Sequence, residues 1–74
     1  MKQGIYKSNG ETFYEVTFIS GENDYIIDEK PTTHTAIVYC TGCWFICISI
    51  DGQEANSLGY RNPKTAGKNA WIIK

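Results

Sequence analysis

The run Ala36 to Ile50, AIVYCTGCWFICISI, constrains the fold more than any other part of the chain. Its second half, residues 43–50, is apolar on both alternating sides when extended. One side carries Cys43, Phe45, Cys47 and Ser49, and the other carries Trp44, Ile46, Ile48 and Ile50. Side chains alternate along a strand, so such a strand calls for cover on both faces. The chain has 74 residues, and a chain of this size buries only about 60% of the surface that its unfolded form exposes. Covering two faces with so little material points to a closed barrel, a tight sandwich or a partner subunit. A homodimer is therefore one of the expected solutions.

Residues 1–74 make a single domain. Turn signals cut the chain into short segments, which suits a small β fold. Strands are predicted over 4–8, 11–20, 25–28, 33–40, 43–50, 53–58 and 70–73. The expected fold is all-β, a small antiparallel barrel or sandwich of six or seven short strands. Asn9-Gly10 and Asp51-Gly52 are hairpin signals, because a type I′ turn needs positive φ at both central residues. Pairing Ser8 with Glu11 sets Ile5 opposite Tyr14 and Tyr6 opposite Phe13. Thr41-Gly42 reads as a tight turn, and Lys30-Pro31 as a break in pairing. Residues 53–58 have poor strand propensity and are expected at an edge. Residues 59–69 read as a loop holding one helical turn. The expected core is Ile5, Tyr14, Val16, Phe18, Ile26, Ile37, Tyr39, Trp44, Ile46, Ile48 and Trp71.

The net charge of −1 excludes a generic polycation. The charge is unevenly placed, however. Residues 11–29 hold Glu11, Glu15, Glu22, Asp24, Asp28 and Glu29 with no Lys or Arg, whereas residues 60–74 hold Arg61, Lys64, Lys68 and Lys74 with no acid. No apolar run reaches the length of a membrane-spanning helix, so no membrane partner is expected. The first residues, MKQGIYKSNGETF, lack an apolar signal core, so a cytoplasmic location is expected.

Three cysteines is an odd number for a disulfide framework. Cys40-Thr-Gly-Cys43, with Cys47 and His34, brings four zinc-type ligands into one stretch. On the predicted strand Cys47 lies roughly 13 Å from Cys43 at ~3.3 Å per residue, so the four groups do not converge on one ion. With Thr41-Gly42 as the turn, Cys40 and Cys43 face each other at a spacing that a disulfide can bridge. A redox role would place the motif at a helix N-terminus. The cysteines are instead expected to be small buried hydrophobes, and His34 to be an exposed strand residue. No metal and no cofactor is expected.

Nucleophilic catalysis needs a nucleophile beside an oriented base. The single histidine sits in no such pattern. The segment from Asn62 to Asn69 approaches a phosphate loop but has Asn in place of both the first Gly and the final Ser/Thr. The protein is not expected to be an enzyme.

What remains is binding. The expected function is a non-catalytic protein-binding module that docks on a basic partner through Glu11, Glu15, Glu22, Asp24, Asp28 and Glu29. A small acidic chain with no catalytic set resembles in type the phage-encoded inhibitors of host defence, anti-CRISPR proteins among them. The likeness is one of size, charge and missing catalytic groups. It implies a target that handles nucleic acid, with an acidic surface standing in for phosphate, and a location in the host cytoplasm. The alternative is a small barrel that binds single-stranded nucleic acid through Tyr60, Arg61, Lys64 and Lys68. It is less favoured, because the aromatic-rich second strand is acidic and repels phosphate. A further alternative is capture of a nucleotide-like ligand at a dimer interface.

Overall fold

The computed structural model describes residues 4–8, as backbone, and residues 11–73. The elements in chain order are β1 (Gly4–Ser8), β2 (Glu11–Ile19), a 3₁₀ turn (Ser20–Glu22), β3 (Thr33–Thr41), β4 (Trp44–Ile50), β5 (Gln53–Asn56), α1 (Pro63–Lys68) and β6 (Trp71–Ile72). Each strand pairs antiparallel with the next, so the sheet is a meander. The mostly-β expectation holds. The barrel and the sandwich do not form, because among the described residues β1 pairs only with β2 and the sheet stays open. Its second layer is α1, which lies against β2, β3 and β4. No helix among the described residues is long and apolar enough to cross a membrane.

The helical turn expected in residues 59–69 is a helix of six residues. Asn62 starts it by accepting hydrogen bonds from the backbone N–H of Lys64 at 2.9 Å and of Thr65 at 3.4 Å. Pro63 occupies the first helical position, where a missing N–H costs nothing. Gly67 lets the helix sit close to the sheet. A Cβ at that position would lie 3.0 Å from Val16 Cγ2 and 3.4 Å from Ala36 Cβ.

Two hairpins follow the predicted register. Ser8 pairs with Glu11, Ile5 with Tyr14 and Tyr6 with Phe13. The intervening Asn9 and Gly10 lie outside the described residues. At the second turn Asp51 (φ 52°) and Gly52 (φ 80°) are both left-handed, as a type I′ turn requires. The turn between β3 and β4 is displaced by one residue from the prediction. Thr41 pairs with Trp44, so the central residues are Gly42 and Cys43, with Gly42 at φ 60°. A turn that needs positive φ at its first central position takes glycine there and rejects β-branched threonine. Cys40 consequently faces Phe45 and not Cys43. All three thiols are free. Cys47 is buried, Cys40 half-buried and Cys43 exposed, so only Cys47 is the fully buried hydrophobe expected.

A bulge then changes the parity of β4. Val38 pairs with Cys47 but Ile37 pairs with Ser49, which leaves Ile48 as the extra residue. Before the bulge the odd positions Phe45 and Cys47 face α1, and after it Ile50 does. The buried core is Val16, Phe18, Ala36, Val38, Cys47, Ile50, Ala55, Ala66 and Ala70, with Tyr14, Ile26, Phe45, Tyr60 and Ile72 packed against it. Of the expected core, Val16 and Phe18 are buried, and Tyr14 and Ile26 are partly so. Ile5 lies outside the residues whose side chains are described. Trp71 is half-buried against Tyr25, with ring centroids 5.7 Å apart. Ile37, Tyr39, Trp44, Ile46 and Ile48 do not join that core. They lie away from α1, where Trp44 is 47% and Ile48 38% exposed. Ala36 takes an inner position where Gly67 brings α1 close, and Val38 and Cys47 fill the inner face beside Phe18 and Ile50.

Residues 53–58 do not form an edge. β6 pairs with β5 through Ala55–Ile72 and Asn56–Trp71, which puts β5 inside the sheet. Residues 25–28 are not a strand. They belong to a loop between β2 and β3, whose own bonds take the place of a ladder.

Candidate functional site

The loop over residues 20–32 is fixed at three points. Its base is closed by Ser20, whose N–H donates to Thr32 O at 2.9 Å and whose Oγ accepts from Thr32 N at 3.2 Å. Its start is anchored by Asn23, which is only 2% exposed. The Asn23 amide nitrogen donates to the carbonyls of Gly67 and Ala70, both at 3.0 Å. These carbonyls lie at and just beyond the C-terminal end of α1, where the Gly67 carbonyl also accepts from Ala70 N at 3.4 Å, so Asn23 adds to the bonding of the helix end from across the chain. Its oxygen accepts from Tyr25 N at 2.8 Å. Every bonding group of this buried amide is engaged in a geometry that sets the direction of the loop.

The third point is His34. Its Nε2 lies 2.7 Å from Asp28 Oδ2, and its Nδ1 bonds Asp51 Oδ2. Each ring nitrogen thus faces a carboxylate oxygen, an arrangement that favours the doubly protonated ring. Burial of the ring pushes its pKa down, but the two carboxylates outweigh that and hold it above the ordinary value. The bond from His34 holds Asp28 below the usual carboxylate range. Asp51 is itself oriented by Thr35, whose N–H donates to Oδ1 at 2.9 Å and whose carbonyl accepts from Asp51 N at 2.8 Å. The Phe18 ring stacks on the imidazole with centroids 5.6 Å apart. His34 is thus half-buried and paired, not the exposed strand residue expected.

Held in this way, the loop curves around a depression of about 310 Å³. Asp24 and Asp28 supply carboxylates to its lining, and Ile26, Ile27 and Pro31 supply apolar surface. Ile27 is 90% exposed and Tyr25 61% exposed. An aliphatic side chain held open to water on a pinned loop has no role in the core.

The six acids expected to form one docking surface are divided by the fold. Asp24, Asp28 and Glu29 belong to the loop, where Asp24 and Glu29 are exposed. Glu22 is committed to structure: it accepts from Ile19 N at 2.9 Å and pairs with Lys68 at 3.6 Å, which lowers its pKa, the backbone bond being the larger cause. Glu11 and Glu15 lie on β2, on the sheet face away from α1, with Glu11 exposed and close enough to Tyr39 to raise the pKa of that phenol. The basic alternative is also divided. Tyr60 packs against the core, Arg61 stands over the Trp44 ring at 5.4 Å, Lys68 is paired with Glu22, and Lys64 lies in the first turn of α1.

Asn23, His34 and Asp51 carry the geometry of the loop and were not among the sequence candidates. Asn23 bonds groups 44 and 47 residues away, so no local pattern announces it. His34 and Asp51 are joined by the β3–β4 register, which the displaced turn had hidden. Burial pushes the Cys47 thiol up to about 11, so it stays protonated. Among the described residues no group of three or more His, Cys, Asp or Glu could hold a metal ion. No known family model, curated protein or solved structure matches this chain.

Proposed function

We propose that the protein is a non-catalytic protein-binding module that grips a basic partner through the loop over residues 20–32. One observation carries this reading. An acid-lined depression lies beside the 90% exposed Ile27 on a loop pinned by Asn23 and His34. A partner lysine or arginine would enter between Asp24 and Asp28, and an apolar contact would cover Ile27. Pinning lowers the ordering cost of binding, which is how a small surface reaches useful affinity. Both nitrogens of the single histidine are committed to carboxylates, so it has no free position for proton transfer with a substrate. The target class that suits this chemistry is a nucleic-acid-handling or host-defence protein whose basic surface ordinarily meets phosphate, as an anti-CRISPR-like inhibitor would use in the host cytoplasm.

The test is a tagged pull-down from host cells, with and without nuclease, using the natural chain and an Asp24→Asn, Ile27→Ser, Glu29→Gln variant. These three side chains are exposed, so the variant keeps the fold. The expected result is one protein enriched under both conditions and lost with the variant. Capture that survives the variant, or that disappears on nuclease treatment, overturns the reading.

A further inference from the structure

The imidazole of His34 stands between two carboxylates that the fold holds with unequal firmness. Asp51 is fixed from the sheet. Its Oδ1 accepts from Thr35 N at 2.9 Å, and its own N–H donates to Thr35 O at 2.8 Å. These two bonds keep its Oδ2 on His34 Nδ1. Asp28 has a weaker hold. The early part of its loop is secured, since Tyr25 rests on Trp71 and Ile26 packs against the core. The stretch 27–31 follows, and its middle is joined to β3 by the 2.7 Å contact of Asp28 Oδ2 with His34 Nε2. The Ser20 and Thr32 hydroxyls also favour the Asp28 charge, but less than His34 does.

The number of protons on the ring decides how many carboxylates it can hold. An imidazolium has two N–H donors, one for each. A neutral imidazole has one N–H and one bare lone pair. A lone pair set against a carboxylate oxygen repels it. Of the two neutral tautomers, the one with hydrogen on Nδ1 keeps the carboxylate that is fixed and gives up the one that can move. Asp28 and Asp51 are the charged groups that act on the ring. From β2 it is the uncharged Phe18 ring that faces the imidazole.

We propose that residues 27–31 are a strap operated by the protonation of His34. The protonated ring ties the strap down through Asp28. The neutral ring keeps its hydrogen on Nδ1 for Asp51 and releases Asp28, so the strap lifts while the anchors at Ser20 and Asn23 hold. Ile27, Asp28 and Pro31 line the depression, so lifting the strap opens that wall. The strap lies in the loop assigned above to partner binding. It is a property of the free chain, however, so the two assignments fail separately.

The experiment is NMR of the nitrogen-labelled free chain from about pH 5 to pH 9, which spans the usual titration of histidine. It uses the natural chain and Asp28→Asn. Ring nitrogen shifts report the titration of His34 and its tautomer, and backbone order parameters report the motion of residues 27–30. Below the His34 midpoint these order parameters are expected to match those of β3, about 0.85, and above it to fall below about 0.6. The neutral ring is expected to carry its hydrogen on Nδ1. Asp28 is exposed, so Asp28→Asn keeps the fold. Its amide can accept from a protonated Nε2 or donate to a bare one. The variant therefore stays tied in both states, and the step in order should vanish. An order of residues 27–30 that is unchanged across the range overturns the proposal. So does a neutral ring with its hydrogen on Nε2, or a step of the same size in Asp28→Asn.

Discussion

His34 on β3 and Asp28 in the loop before that strand are joined at 2.7 Å, six residues apart, with the other ring nitrogen held by Asp51 from the β4–β5 turn. One imidazole ring thus ties together a loop, a strand and a hairpin turn. The signs of its linkage are defined. The raised pKa of His34 contributes stability fully below the ordinary value near 6.5, and this is lost as pH rises through the folded-state value. The lowered pKa of Asp28 contributes above the ordinary value near 3.8, and this is lost as pH falls through its folded-state value. The loop is expected to be tightest between about pH 4 and pH 6.5. Melting temperature against pH should show that plateau in the natural chain. The plateau should flatten in His34→Gln, and a profile unchanged by that substitution would refute the clamp.

Asn23 tests the anchor of the loop. Asn23→Ala removes a side-chain donor from the Gly67 and Ala70 carbonyls, at a cost of about 1–3 kcal/mol for the lost buried hydrogen bonds. Asn23→Asp should cost more, since a carboxylate would face two carbonyl oxygens. Urea unfolding measures both, and the predicted order is natural chain, Ala, Asp.

Gly67 sits in a helix, where alanine ordinarily gains about 1 kcal/mol in propensity. Here the new methyl would stand 3.0 Å from Val16 Cγ2. Overpacking typically costs about 1–3 kcal/mol, so crowding wins and Gly67→Ala is expected to destabilise. The double variant Gly67→Ala, Val16→Ala should recover part of the loss, because the clash is removed. Thermal unfolding of the two variants decides the sign.

The thiols should label in a fixed order. Cys43 is exposed at the turn, Cys40 is half-buried, and Cys47 is buried with its pKa raised to about 11. Alkylation at neutral pH, followed by peptide mass spectrometry, is expected to modify Cys43 first and Cys47 last. Early modification of Cys47 would contradict its place in the core.

How far the fold could be read from residues varied with the range of the interaction. The Asp51-Gly52 turn is local chemistry and was legible, as was the β1–β2 register. The β3–β4 turn failed on one detail, the position in the turn at which glycine is needed. Alternation then failed in β4, because Ile48 bulges out and the larger residues Ile37, Tyr39 and Ile46 face away from the helix. A rule that assigns bulk to the core picks the wrong side of a strand when a bulge shifts its register. The acidic loop was visible as composition, but Asn23 and His34, which hold it, act across distances that composition does not register.

The meander has a kinetic consequence. Every sheet pairing joins strands that are neighbours in the chain, whereas α1 returns from residue 63 to lie across β2, β3 and β4. Hairpins with short closures form before contacts that need long ones, so helix docking, with the Asn23 bonds to Gly67 and Ala70, is expected as the last step. Ala66→Gly should then speed unfolding and leave the folding rate nearly unchanged in stopped-flow measurements. During synthesis the inner face formed by Val16, Phe18 and Ala36 waits uncovered until residues 63–68 arrive, and their arrival gives a sticky nascent sheet its cover.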